Sequence, residues 1–337
     1  MKRILALCLA LLMAFSLCAC GGSGTTTAPA APAEPAAEPA AEPAAEPADE
    51  EIVIGMSLYS LSDAFVAIIE QGAKDEAAKL GVKLDSQDGS ADSQLQMEQL
   101  RTFGAKGYDA VILQLVDTTM GAAALNELGD GIPVVFCNHR PDDSLLKEGM
   151  YKFCGTEEYK GGQIQAEYLA KFFEGRTDPI RYVLFRGTLG YENTQARSEG
   201  VLTELQNAGF TLEAVFDDTA DWSRATAMDK MQTFLGTGAE FDCVICNNDE
   251  MALGCIEAMK GAGIDLAKIP VVGIDASAAA CESIKNGEMA CSAFQDPYEK
   301  GQMCVRNAVA AAKGEMTDLF EMQTYTLVTI DNVDDYM

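Results

Sequence analysis

Short apolar runs alternate along this chain with longer segments whose apolar residues recur at helical spacing. Ile52-Val53-Ile54-Gly55-Met56-Ser57-Leu58 predicts a first buried strand, and Phe65 to Leu80 a helix stopped by Gly81. Val82-Lys83-Leu84 predicts a second strand running into a polar turn at Asp85-Ser86-Gln87-Asp88, followed by a helix from Gln94 to Gly104. A strand at Ala110–Leu113, a helix at Ala122–Leu128 and a strand at Val134-Val135-Phe136 complete a first series, which ends at Asn138, His139 and Arg140. After Phe153-Cys154-Gly155-Thr156 the alternation resumes, with helices at 162–173, 194–208 and 224–234 and strands at 182–185, 212–216, 243–246, 269–275 and 289–294. A last strand is expected over 325–330. Unbroken apolar runs of this length suit strands covered on both faces, and strand-helix alternation builds parallel sheets flanked by helices.

Phe241 to Gly254, FDCVICNNDEMALG, shows the pattern most plainly. Cys243-Val244-Ile245-Cys246 is apolar throughout. Asn247, Asn248 and Asp249 then place amide and carboxylate groups at the strand's carboxyl end, with Asp249 expected to cap the following helix. Polar groups recur at strand ends in both series, and open α/β sheets bind small ligands there. The fold class expected is therefore α/β, with two Rossmann-like lobes whose polar strand ends face each other across a small polar ligand.

Composition narrows the chemistry. The 337 residues carry 52 acidic and 24 basic side chains, a formal charge of −28, which opposes a nucleic-acid partner. A single histidine, His139, leaves no room for a multi-histidine metal site and little for a Ser-His-Asp arrangement, and it reads as a rim or structural residue. Eleven cysteines invite a disulfide reading, yet Cys137, Cys154, Cys243, Cys246 and Cys291 lie in or beside apolar strand-like runs, where free thiols act as small hydrophobes. The spacing of Cys243 and Cys246 sends their side chains to opposite faces of a strand, which disfavours redox or zinc use.

The amino terminus has its own logic. Lys2 and Arg3 precede an apolar run from Ile4 to Leu17, which ends in Leu17-Cys18-Ala19-Cys20-Gly21-Gly22 and reads as an export signal over residues 1–20. Residues 21–51 are rich in Ala, Glu and Pro, with prolines at 35, 39, 43 and 47. Proline every fourth residue forbids a helix and favours an extended tether of roughly 90 Å at ~3.1 Å per residue. The tetrad Leu17-Cys18-Ala19-Cys20 resembles a bacterial lipobox, which implies Cys20 as a lipidated anchor; an ordinary cleaved signal is the plainer alternative.

Six ordered motifs carry a wider resemblance over residues 52–337: IGMSLY at 54–59, VVFCNHRP at 134–141, GTLGYENTQAR at 187–197, DDTADW at 217–222, CNNDEMALG at 246–254 and VGIDA at 272–276. Together they resemble the periplasmic monosaccharide-binding proteins of ABC transporters, the ribose- and galactose-binding type, and within it the galactose/glucose binders. The resemblance implies a lipid-anchored, extracytoplasmic and monomeric receptor that is not an enzyme and needs no cofactor or metal. Its partners would be a monosaccharide, with galactose or glucose the leading candidates, and an ABC permease with its ATPase. It also implies a three-crossing hinge between one lobe of residues 52–154 plus 297–324 and another of 155–296 plus 325–337.

By the same resemblance, Asp63 accepts sugar hydroxyls, Phe65 and Trp222 cover the two faces of the ring, and Asn138, Arg197, Asn248 and Asp275 make the remaining hydrogen bonds. A pyranose needs that mixture, with hydroxyls around its rim and C–H patches on its faces. Taken singly, Trp222 could be a packing residue, Asp275 a helix cap and Asn248 a turn residue; Trp222 is expected to be exposed. Tyr191, Asn193 and Gln295 complete the ten expected ligand-binding residues, with Tyr191 offering a further stacking surface, but all three depart from the galactose/glucose pattern and leave the sugar open. Segment 172–179 lacks a calcium-loop pattern. A receptor for a pentose or other small polyol is one alternative. An exported carbohydrate-active enzyme using Asp63 and Asp275 is another, and a regulator sharing the core would need a DNA-binding segment in place of the export signal.

Overall fold

The structure, a computed structural model, describes residues 51–337. The export signal, Cys20 and nearly all of the tether lie outside the described residues. The first series runs β1 (Val53–Leu58), α1 (Ala64–Leu80), β2 (Lys83–Asp88), α2 (Ser93–Lys106), β3 (Ala110–Leu113), α3 (Gly121–Leu128), β4 (Val134–Cys137) and β5 (Tyr151–Thr156). The chain continues through α4 (Glu158–Phe172), β6 (Ile180–Arg186), α5 (Glu192–Asn207), β7 (Leu212–Thr219), α6 (Arg224–Leu235), β8 (Cys243–Cys246) and α7 (Asp249–Gly261). It ends with β9 (Val271–Asp275), α8 (Ala278–Lys285), β10 (Cys291–Phe294), α9 (Pro297–Ala312), β11 (Phe320–Gln323) and β12 (Thr326–Val328).

These strands form two six-stranded sheets, ordered β11-β5-β4-β3-β1-β2 and β12-β10-β9-β8-β6-β7. All pairs are parallel except β10 with β12. Each sheet contains the doubly wound order 2-1-3-4-5, and its direction of winding reverses between β1 and β3 in one and between β6 and β8 in the other. At such a reversal the crossover helices leave to opposite faces and open a crevice at the carboxyl ends of the strands. The chain passes between the sheets after Thr156, after Phe294 and after Gln323.

The central strands are apolar on both faces because helices cover both. Ile54, Met56, Ile112 and Val135 pack with α1 and α9 on one side of the first sheet, while Val111, Leu113, Val134 and Phe136 join Leu100 and Phe103 on the other. Cys243 and Cys246 do fall into separate clusters on opposite faces of the second sheet. The eight cysteines of the described residues are free and buried.

Several sequence expectations change. β2 continues through Asp88 in place of the expected turn, because Asp85 to Asp88 pair in register with Gly55 to Leu58. α8, α9 and β11 were not expected from the sequence pattern. α8 is short, α9 begins at Pro297, where the expected boundary between the lobes falls, and β11 is a four-residue edge strand with exposed positions. The cap of α7 is Asn248, whose Oδ1 accepts from the Met251 amide at 3.0 Å, and Asp249 is the first helical residue. The last strand is shorter than the expected 325–330, covering Thr326–Val328 only, and it runs antiparallel to β10.

Candidate functional site

The carboxyl ends of the strands in both sheets converge on one cleft. Asp63, Phe65, Asn138, Asn193, Arg197, Trp222, Asn248, Asp275 and Gln295 line it, together with Tyr59, Val66, Gln114 and His139. Nine of the ten expected ligand residues are thus brought together. The tenth, Tyr191, does not line this cleft: its hydroxyl donates to the carbonyl of Val116, and its ring packs against His139 and Tyr59.

Each side chain has a local reason for its place. Asp63 caps α1, its Oδ1 accepting from the Phe65 and Val66 amides at 2.8 and 3.4 Å, which leaves Oδ2 for the cleft. Burial raises its pKa, and the two amide bonds partly oppose that rise. Asn138, directly after β4, sits at φ 61°, a left-handed conformation that asparagine tolerates. Trp222 also has a left-handed backbone, at φ 64°. Contrary to the exposed placement expected, it is half-buried, because its ring packs onto the second lobe's core and over Gly187.

Arg197 is buried on α5. Its Nε donates to Glu158 Oε2 at 2.7 Å and one terminal nitrogen to the Asn247 carbonyl at 2.8 Å, leaving the other terminal nitrogen without a protein partner among the described residues. Tyr325 donates to the same Glu158 oxygen at 2.7 Å. Asp275 accepts from Gln295 Nε2 at 2.8 Å, and burial pushes its carboxyl up to about 7 while the Arg197 charge pulls it back. Asn193 Oδ1 accepts from the Thr194 amide at 2.8 Å, and Asn248 Nδ2 donates to the Trp222 carbonyl at 3.3 Å. Asp249 belongs behind this surface: its carboxylate accepts from Ser292 Oγ and the Ser277 amide, and burial raises its pKa strongly.

Sequence reasoning missed four contributors. Gln114 directly follows β3, so the rule that polar residues at strand ends face the ligand would have found it. Tyr59 directly follows β1 in the same way. Lys300 and Glu158 lie near the starts of α9 and α4, where nothing in the local pattern marks them. His139, expected as a rim or structural residue, is buried in the wall of the cleft; Nδ1 bonds the Leu115 carbonyl at 2.7 Å, and burial lowers its pKa to about 4, so the ring is neutral. The arrangement offers carboxylates, amides, a guanidinium and aromatic surface, a set suited to holding hydroxyl groups.

The family model for the periplasmic binding protein domain matches residues 54–316. A protein of Rhizobium meliloti named for rhizopine binding is 33% identical over 288 residues, 84% of this chain and 92% of its own length. The D-galactose/methyl-galactoside binding periplasmic protein of Haemophilus influenzae is 29% identical over 84% of this chain and 91% of its own length. Among solved structures, an ABC transporter solute binding protein from Bacillus halodurans with bound myo-inositol is similar with a TM-score of 0.78 and 34% identity, over 86% of this chain and 99% of that one. The chain belongs to the periplasmic binding protein family. Its two lobes have the type I fold of that family, the resemblance drawn from the six motifs holds, and its relatives are substrate-binding proteins and not enzymes.

Proposed function

We propose that this protein is the extracytoplasmic receptor of an ABC importer and binds one small cyclic polyol between its lobes. The observation that carries the reading is the convergence of nine hydroxyl-matching or ring-covering residues from both sheets on one cleft. A hexopyranose of the galactose or glucose kind suits this set, with Asp63, Asn138, Arg197, Asn248 and Asp275 on the hydroxyls and Phe65 and Trp222 on the ring. The relative with bound myo-inositol favours a second reading, a cyclitol, which presents the same rim of hydroxyls without a ring oxygen.

Contacts from both lobes favour the closed form once ligand is present, and a permease would then distinguish loaded from empty receptor by the spacing of the lobes. The proposed lobes are residues 52–156 with 297–323, and 157–296 with 324–337, joined at three crossings; two of the bounds differ by one or two residues from those expected because β5 runs to Thr156 and β11 ends at Gln323. Cys20 would carry the lipid anchor and residues 21–51 the spacer, which would keep a monomeric receptor beside its permease and ATPase.

Calorimetric titration of the purified full-length protein with D-galactose, D-glucose, myo-inositol and D-ribose tests the ligand. One-to-one binding of a six-membered ring, lost in Trp222→Ala, is the expected result; no heat from any of the four would overturn the reading. Mass spectrometry of the amino-terminal peptide tests the anchor, with a diacylglyceryl group on Cys20 expected.

A further inference from the structure

Lys300 is fully buried, and the ordinary reason for burying a lysine is absent. Lysines are seldom buried without an opposite charge, because desolvating the ammonium is costly. No carboxylate lies within ion-pair distance of Lys300 among the described residues. Its three hydrogens go instead to three neutral oxygens: Asn138 Oδ1 at 2.7 Å, Thr156 Oγ1 at 2.8 Å and Gln295 Oε1 at 2.8 Å. Its nitrogen also stands 5.2 Å from the centre of the Phe65 ring. Burial lowers its pKa, as expected for a cation held by neutral partners.

An amide whose oxygen is held by an ammonium cannot flip without bringing its own NH2 against that donor. Asn138 is therefore left with Nδ2 as its free group. The oxygen of Gln295 is committed, because Oε1 also accepts from Thr156 at 2.8 Å, so its amide is held with Nε2 outward, one hydrogen donated to Asp275 Oδ1 at 2.8 Å and the other left for the cleft. Resting on the polyol reading above, we propose that Lys300 is a positioning residue that fixes the hydrogen-bonding polarity of the cleft, setting Asn138 as a donor and, through Gln295, Asp275 as an acceptor. The ligand then presents an oxygen lone pair to Asn138 and a hydroxyl hydrogen to Asp275. Thr156 and Gln295 also stand at two of the passages between the sheets, so one ammonium joins the polarity of the site to the segments about which the lobes would move.

Asn138→Asp separates polarity from packing. The new carboxylate keeps a partner for Lys300 and tolerates the left-handed backbone, but it offers the ligand an acceptor in place of a donor. Titrated with the tightest of D-galactose, D-glucose and myo-inositol, it should lose at least tenfold in affinity while its melting temperature stays at or above that of the wild type. Unchanged or tighter binding would overturn the proposal. Lys300→Met supplies a readout that needs no ligand: in spectra of the 15N-labelled free protein, the side-chain NH2 resonances of Asn138 and Gln295 should shift or broaden, and Lys300→Arg should restore part of the wild-type pattern. Identical amide resonances in Lys300→Met and wild type would overturn it. Failure of the wild type to bind any of the three probes would instead overturn the polyol reading, and the amide spectra would still decide the role of Lys300.

Discussion

Trp222 and Asp275 show how single residues carry the site. A Cβ on Gly187 would stand 2.0 Å from the Trp222 ring, so the missing side chain at 187 is what lets the indole lie where it does. Gly187→Ala is expected to displace the ring and weaken ligand binding by about 1 kcal/mol or more, roughly fivefold. Trp222 is the one tryptophan in the sequence, so its fluorescence reports both the displacement and the binding. Asp275 gives a pH dependence. Its folded pKa is raised from 3.8 to about 7, so the stability it contributes is fully present below the unfolded value and is lost as pH rises through about 7. A ligand hydroxyl that donates to it requires the ionised form, and binding then releases a proton. Affinity should therefore fall by about tenfold between pH 8 and pH 6, with proton release measurable by calorimetry in buffers of different ionisation enthalpy; a flat profile would mean that the ligand does not bond this carboxylate.

At the scale of elements, glycines set how closely helices approach. A Cβ on Gly162 of α4 would stand 2.0 Å from the Arg197 carbonyl on α5, and one on Gly200 of α5 would stand 2.4 Å from the Tyr159 carbonyl. The first lobe repeats the device: Gly72 of α1 meets the Tyr298 carbonyl and Gly301 of α9 meets that of Ile69, each at 2.0 Å. Gly162→Ala should cost about 1–3 kcal/mol by overpacking and lower ligand affinity as well, because α5 carries Arg197 and Asn193. Gly261→Ala, with nothing within 4 Å of the added carbon, should leave stability equal or raised by up to about 1 kcal/mol. Thermal unfolding of the two variants checks the contrast. None of these close approaches is visible along the chain, since a helical glycine reads locally as a weakness.

For the whole molecule, the proposed motion turns on contacts made between lobes. Tyr191, at the start of α5, reaches the Val116 carbonyl beyond β3, and its ring covers His139 and Tyr59. Tyr191→Phe removes one hydrogen bond and keeps the ring. It should weaken ligand affinity by about 0.5–1.5 kcal/mol, a two- to tenfold loss, without a matching fall in melting temperature. Small-angle scattering checks the cause: the radius of gyration of the free variant should exceed that of the free wild type. No helix among the described residues is long and apolar enough to cross a membrane.

The chain order of apolar runs and helical segments determined the two α/β layers, because burial on both faces of a parallel strand demands an unbroken apolar run whatever its neighbours are. It also marked Asn138, Asn248, Asp275 and Gln295, since polar residues at the carboxyl ends of such runs have one place to go. Tertiary structure alone decided what those residues do there. The amide direction of Asn138 depends on Lys300, 162 positions away in sequence, and the direction of the Arg197 guanidinium on Glu158, 39 away. Tyr191 read as a surface for ligand, but its hydroxyl goes to a carbonyl 75 positions distant. Hydrogen-bond partners of this kind are set by which elements pack together, and a local pattern of apolar and polar residues holds no record of them.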